Sequence, residues 1–143
     1  MVRRVLYVYV EDRCEPSDAS CIAAQLERAV SVSKWGLAAP EIVNEISSLG
    51  DQSGHRELPP WDVGLSLALP DAGCAPCGWF RDVERFARIT GDIVSHTGHR
   101  FVVGVAECDA GLWEDLFVID TPTPDVVALA AVVTRLTGLP PPT

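Results

Sequence analysis

The amino-acid sequence predicts an α/β fold: a single-domain sandwich in which helices pack on a mixed sheet of about four strands, in the order β-α-(α)-β-α-β-β-α. Three observations carry this. Segments with apolar residues at every second position interleave with segments at helical spacing. A chain of 143 residues that is 48% hydrophobic is long enough to bury one ordinary core. No internal repeat or low-complexity linker divides it, so residues 1–138 read as one domain and 139–143 as a Pro-rich tail. Two crossovers through helices imply parallel neighbours, and the last hairpin adds an antiparallel pair.

Residues 3–10 place Val5, Tyr7 and Tyr9 on one face and Leu6, Val8 and Val10 on the other. Both faces are apolar enough to be covered, as in an interior strand. Ser17 or Asp18 is suited to cap a helix running to about Lys34, with Ile22, Leu26, Ala29 and Val30 on its apolar stripe. Gly36 is placed to end that helix in a left-handed conformation. Pro40 suits the start of a short helix carrying Ile42, Val43, Ile46 and Leu49, after which residues 50–57 read as a surface loop. Residues 62–69 alternate as a half-buried strand near a sheet edge, with Val63, Leu65, Leu67 and Leu69 facing one way.

A tight connection then leads into the clearest helix of the chain. Trp79, Phe80, Val83, Phe86, Ala87, Thr90, Ile93 and Val94 follow the 3.6 period, while Arg81, Asp82, Arg85, Arg88 and Asp92 occupy the opposite face. Gly98 supplies the stop. Residues 101–106 and 116–119 read as a hairpin turning around Gly111. A final helix opens at Thr123-Pro124-Asp125, with Thr123 as cap and Pro124 at the first helical position, and closes near Leu136.

Composition narrows the function classes. Eleven basic against twenty acidic residues give a formal charge of −9, the wrong sign for a nucleic-acid or anionic-membrane surface. A basic protein partner or a cation is the easier match. The N-terminal run has no small-residue cleavage site and no segment reaches the length of a membrane helix, which points to a cytoplasmic protein. Five cysteines, an odd number without an export signal, fit reduced thiols better than a disulfide framework.

The strongest single motif is Cys74-Ala-Pro-Cys77, between a strand and a helix. A thiol there feels the positive helix end, which favours the thiolate. The motif resembles the redox site of thioredoxin-like proteins over residues 62–97, which implies Cys74 as nucleophile and Cys77 as resolving thiol. It departs from that pattern in having Gly73 where a Trp is expected and no Pro in His96-Thr-Gly-His-Arg100. A four-thiolate zinc site with Cys14 and Cys21 suffers from a spacing wider than a structural knuckle uses. The bland reading is two small residues filling a helix entrance. His96 and His99 read as caps of the helix stop, and neither a metal nor a cofactor is expected from the motifs present.

The remaining feature is an acidic edge. Between Arg100 and Arg135 there is no basic residue, whereas Glu107, Asp109, Glu114, Asp115, Asp120 and Asp125 are all acidic. Glu107, Asp109, Glu114 and Asp115 are expected to gather around the hairpin turn with Leu112 and Trp113, as an aromatic anchor ringed by carboxylates that captures a basic partner. The alternative is a solvated turn that keeps the protein soluble. A small acidic α/β chain with the hairpin from Arg100 to Asp120 resembles the immunity proteins of bacterial polymorphic toxins. That resemblance implies stoichiometric inhibition of a cognate toxin by occlusion of its active site, with no chemistry of its own. The thiol–disulfide oxidoreductase is the rival expectation, and a homodimer is a third.

Overall fold

The computed structural model describes residues 4–11, 16–37, 39–44, 63–71, 73, 78–107 and 112–139, with the backbone alone at Pro16, Asn44, Leu112 and Trp113. Among the described residues eight elements follow one another: β1 Arg4–Val10, α1 Pro16–Val32, β2 Glu41–Asn44, β3 Val63–Ala68, α2 Trp79–Thr97, β4 Phe101–Glu107, β5 Leu112–Ile119 and α3 Val126–Thr137. The strands form one sheet in the order β2-β3-β1-β4-β5. The α/β class is as expected, but the sheet has five strands and every adjacent pair is antiparallel.

The error in strand direction has a topological cause. Each helical crossover does join parallel strands, because β1 and β2 are both antiparallel to β3, and β3 and β4 are both antiparallel to β1. The parallel partners are not neighbours: β3 is inserted between β1 and β2, and β1 between β3 and β4. Two β-α-β units are thus interleaved, the split arrangement of ferredoxin-like folds, extended here by β5 and α3. The fifth strand, β2, occupies residues where helical spacing predicts a helix. Ile42 and Val43 pair with Leu65 and Gly64, and β3 consequently lies inside the sheet and not at its edge.

All three helices contribute to one core on one face of the sheet. Leu6, Val8, Leu65, Leu67, Phe101 and Val103 meet Ile22 and Leu26 of α1, Val83 and Phe86 of α2, and Leu129 and Val133 of α3. The opposite face carries Val5, Tyr7 and Ala106, all buried, with Tyr9 and Val43 partly buried beside them. β1 is therefore apolar on both faces because it is the central strand, with both of its edges and both of its faces covered.

Helix α2 buries Trp79, Val83, Phe86, Ala87, Thr90, Ile93 and Val94 as its period predicts, and also Asp82. Gly98 ends it with φ 76° and donates its amide to Val94 O at 2.8 Å, a left-handed cap that suits glycine. Gly36 does not play that part for α1, since the described residues with positive φ are Gly78, Gly98 and Gly138. The cap of α3 is Asp125, not Thr123: its carboxylate accepts from the Ala128 amide at 3.0 Å, and the helix starts at Val126. Leu139, placed by the sequence in the tail, is buried in the core. Among the described residues, no helix is long and apolar enough to cross a membrane.

Candidate functional site

Among the described residues, strand β5 is an outer strand of the sheet, with β4 as its one strand neighbour. Cross-strand pairing sets Tyr7 of β1 opposite Gly104 of β4, and Gly104 opposite Asp115 of β5. Three residues from three strands therefore lie in one row across the sheet. The Tyr7 hydroxyl donates to Asp115 Oδ1 at 2.6 Å, and Tyr9 donates to Asp115 Oδ2 at 2.9 Å. The two phenol rings stack with centroids 5.9 Å apart. Each carboxylate oxygen is thus fixed by its own phenol, while Asp115 as a whole remains exposed.

Gly104 makes this reach possible. A Cβ built there would lie 2.2 Å from the Tyr7 hydroxyl and 2.4 Å from the Glu114 carbonyl oxygen. The phenol occupies the space that any other residue would fill with its side chain. The β4–β5 register shifts between Val103 and Gly104, an irregularity beside the same row.

The electrostatics of the row follow from its geometry. Burial, then the hydrogen bond and charge of Asp115, hold the Tyr7 phenol far above its ordinary pKa of 10. The same causes in the same order push Tyr9 up to about 12. Both phenols remain donors throughout the physiological range, so the carboxylate keeps both bonds. A carboxylate has about four lone-pair sites, and its charge is available to an incoming cation.

The predicted acidic turn is only partly assembled in this way. Leu112, Trp113, Glu114 and Asp115 belong to β5 and not to a turn. Glu107 ends β4 and accepts from Arg4 Nε at 3.3 Å, while Glu114 is exposed. Trp113 lies opposite Ala106 in the register, and Asp109 lies outside the described residues. So do Cys74 and Cys77, with Cys14, Cys108 and His55. Cys21 is an exposed free thiol within α1. His96 Nδ1 lies 2.7 Å from Asp92 O; a carbonyl only accepts, so that nitrogen carries the proton. Among the described residues, no group of three or more His, Cys, Asp or Glu side chains could hold a metal ion.

Two sets of residues escaped the sequence reading. Tyr7 and Tyr9 are indistinguishable there from core aromatics, and only the strand pairing reveals that they meet Asp115. Asp82 sits on the charged face of α2 by periodicity, yet it is 2% exposed. Its Oδ1 accepts the Gly36 amide at 2.7 Å and its Oδ2 the Leu37 amide at 2.9 Å. Arg85 reinforces the clasp, with Nη1 donating to the Lys34 carbonyl and lying 3.9 Å from Asp82 Oδ1. An acid four residues after a helix-opening glycine carried no signal of these partners, which are 45 and 46 positions away.

No family model, curated protein or solved structure shows a significant match to this chain.

Proposed function

We propose that the chain is an acidic protein-binding module that captures a basic protein on β5 and inhibits it stoichiometrically, as bacterial immunity proteins do. The observation that carries this reading is Asp115, an exposed carboxylate on an outer strand with both oxygens fixed by phenols. A carboxylate already fixed in place loses little freedom when it receives an arginine or lysine. Glu114, the preceding residue of the same outer strand, is also exposed and projects to the other face. The run from residue 101 to 134 holds no Lys, Arg or His to compete for those carboxylates. The cytoplasm is the compartment this reading assigns, where an inhibitor would protect its own cell.

The test uses the product of the adjacent reading frame as the partner. Calorimetric titration of the two proteins is expected to give a one-to-one complex that weakens at least tenfold when Asp109, Glu114 and Asp115 are all changed to Lys. Equal affinity of the triple variant, provided it retains the native circular dichroism spectrum, sinks the reading.

A further inference from the structure

A second surface, none of whose residues lies on β5, has the opposite charge. Arg81, Arg85 and Arg88 stand at i, i+4 and i+7 on α2 and share one side of the helix. They border two adjoining grooves. One, of about 400 Å³, is lined by Gly36, Gly78, Arg81, Asp82 and Arg85. The other, of about 240 Å³, is lined by Arg81, Glu84, Arg85 and Arg88. Arg81 and Arg85 are common to both.

The local ion pairs consume only part of this positive charge. Arg88 is spoken for, since its Nη2 donates to Glu84 Oε2 at 3.3 Å. Arg85 is fixed through Nη1 alone, by the Lys34 carbonyl and Asp82. Its Nη2 and Nε have no acceptor among the described residues. Arg81 is exposed, and among the described residues no carboxylate lies within ion-pair distance of it. Asp82 also lines the larger groove, but it is nearly inaccessible, both of its oxygens accept backbone amides and its charge is offset by Arg85, so an approaching anion meets guanidinium edges and not carboxylate oxygens. In a chain of net charge −9, the lining of the two grooves sets Arg81, Arg85 and Arg88 against Asp82 and Glu84, an excess of one positive charge.

We propose that the groove between the 34–37 segment and α2 binds a phosphate-bearing small molecule, received between the guanidinium groups of Arg81 and Arg85. Planar guanidinium forks match phosphate oxygens in pairs. Arg85, held from behind by Lys34 and Asp82, supplies the fixed wall. Arg81 supplies the closing contact. Arg81 and Arg85 stand about one helical turn apart on α2, so a diphosphate, with one phosphate group for each guanidinium, fits better than a monophosphate.

Titration of the full chain with pyrophosphate at constant ionic strength, followed by calorimetry, tests the proposal. Saturable one-to-one binding is expected, at least fivefold tighter than that of inorganic phosphate in a parallel titration. Arg81→Ala should weaken pyrophosphate binding tenfold or more, and Arg81→Lys should restore part of the loss. Arg85 is not the first choice for substitution because it also holds the 34–37 segment. Arg135→Ala, on the exposed face of α3, should leave affinity unchanged. Absence of saturable binding up to about 10 mM pyrophosphate, roughly ten times the upper end of ordinary substrate constants, overturns the proposal, as does an equal loss in Arg81→Ala and Arg135→Ala, which would mark a diffuse charge effect. Because β5 takes no part, these outcomes are independent of partner capture at Asp115.

Discussion

Tyr7 and Asp115 stand 108 positions apart and are joined by a 2.6 Å hydrogen bond that spans the full width of β4. Gly104 is the residue crossed. Gly104→Ala forces either the phenol or the backbone of β5 to move, because the new methyl would fall 2.2 Å from one and 2.4 Å from the other. Overpacking of this kind costs about 1–3 kcal/mol. Urea unfolding of the variant should show that loss, and Tyr7→Phe in the same background should not recover it, since the ring remains.

Asp82 is expected to behave as a structural clasp. Asp82→Ala leaves the Gly36 and Leu37 amides without their acceptor, a loss of roughly 1.5–3 kcal/mol for bonds to a charged group. Asp82→Asn, which keeps one acceptor oxygen in the same place, should cost less. Hydrogen exchange at Gly36 and Leu37 gives the local readout, and unchanged protection in Asp82→Ala would refute the assignment.

The tyrosines predict an alkaline limit to stability. Both phenols bind their protons more tightly in the folded chain than the ordinary value of 10, with Tyr9 at about 12. The folded state then holds more protons than the unfolded state above pH 10, so stability falls as pH rises. The contribution is intact below pH 10 and is lost progressively toward pH 12. Thermal melts across that window should fall less steeply for Tyr9→Phe than for the parent chain.

Within the proposed complex, Glu114 and Tyr9 should act on different rate constants. Glu114→Lys reverses an exposed charge and is expected to slow association severalfold at low salt, with the gap closing as screening increases. Tyr9→Phe removes one of the two donors that fix Asp115 and should speed dissociation while leaving association nearly unchanged. Stopped-flow mixing and surface plasmon resonance separate the two, and identical effects on both rates would contradict this division of roles.

The elements that could be read from sequence are those whose pattern is local. The period of Trp79–Val94 and the double-faced apolarity of β1 were sufficient to place a surface helix and an interior strand. β2 was not, because Ile42, Val43, Ile46 and Leu49 fit helical spacing as well as a strand fits its first two members. Pairing with β3 decided it. Asp115 was expected in a turn that it does not occupy, since two acids after Gly111 look the same in a turn as in a strand. Its partners depend on the register of three strands, and register is absent from any local window. Asp82 failed for the same reason in reverse: periodicity assigns a side chain to a helix face, while the 34–37 segment that covers this part of the face comes from elsewhere in the chain.

Strand order also sets a timetable for synthesis. β1 is the first strand to be made, yet one of its neighbours begins at Val63 and the other is complete only at Glu107. Until then this central strand, buried on both faces, has at least one unpaired edge, the configuration most prone to pairing with other chains. A polypeptide released before Phe101 would keep that edge permanently, so loss of the C-terminal third should produce an aggregating species and not merely a weaker binder.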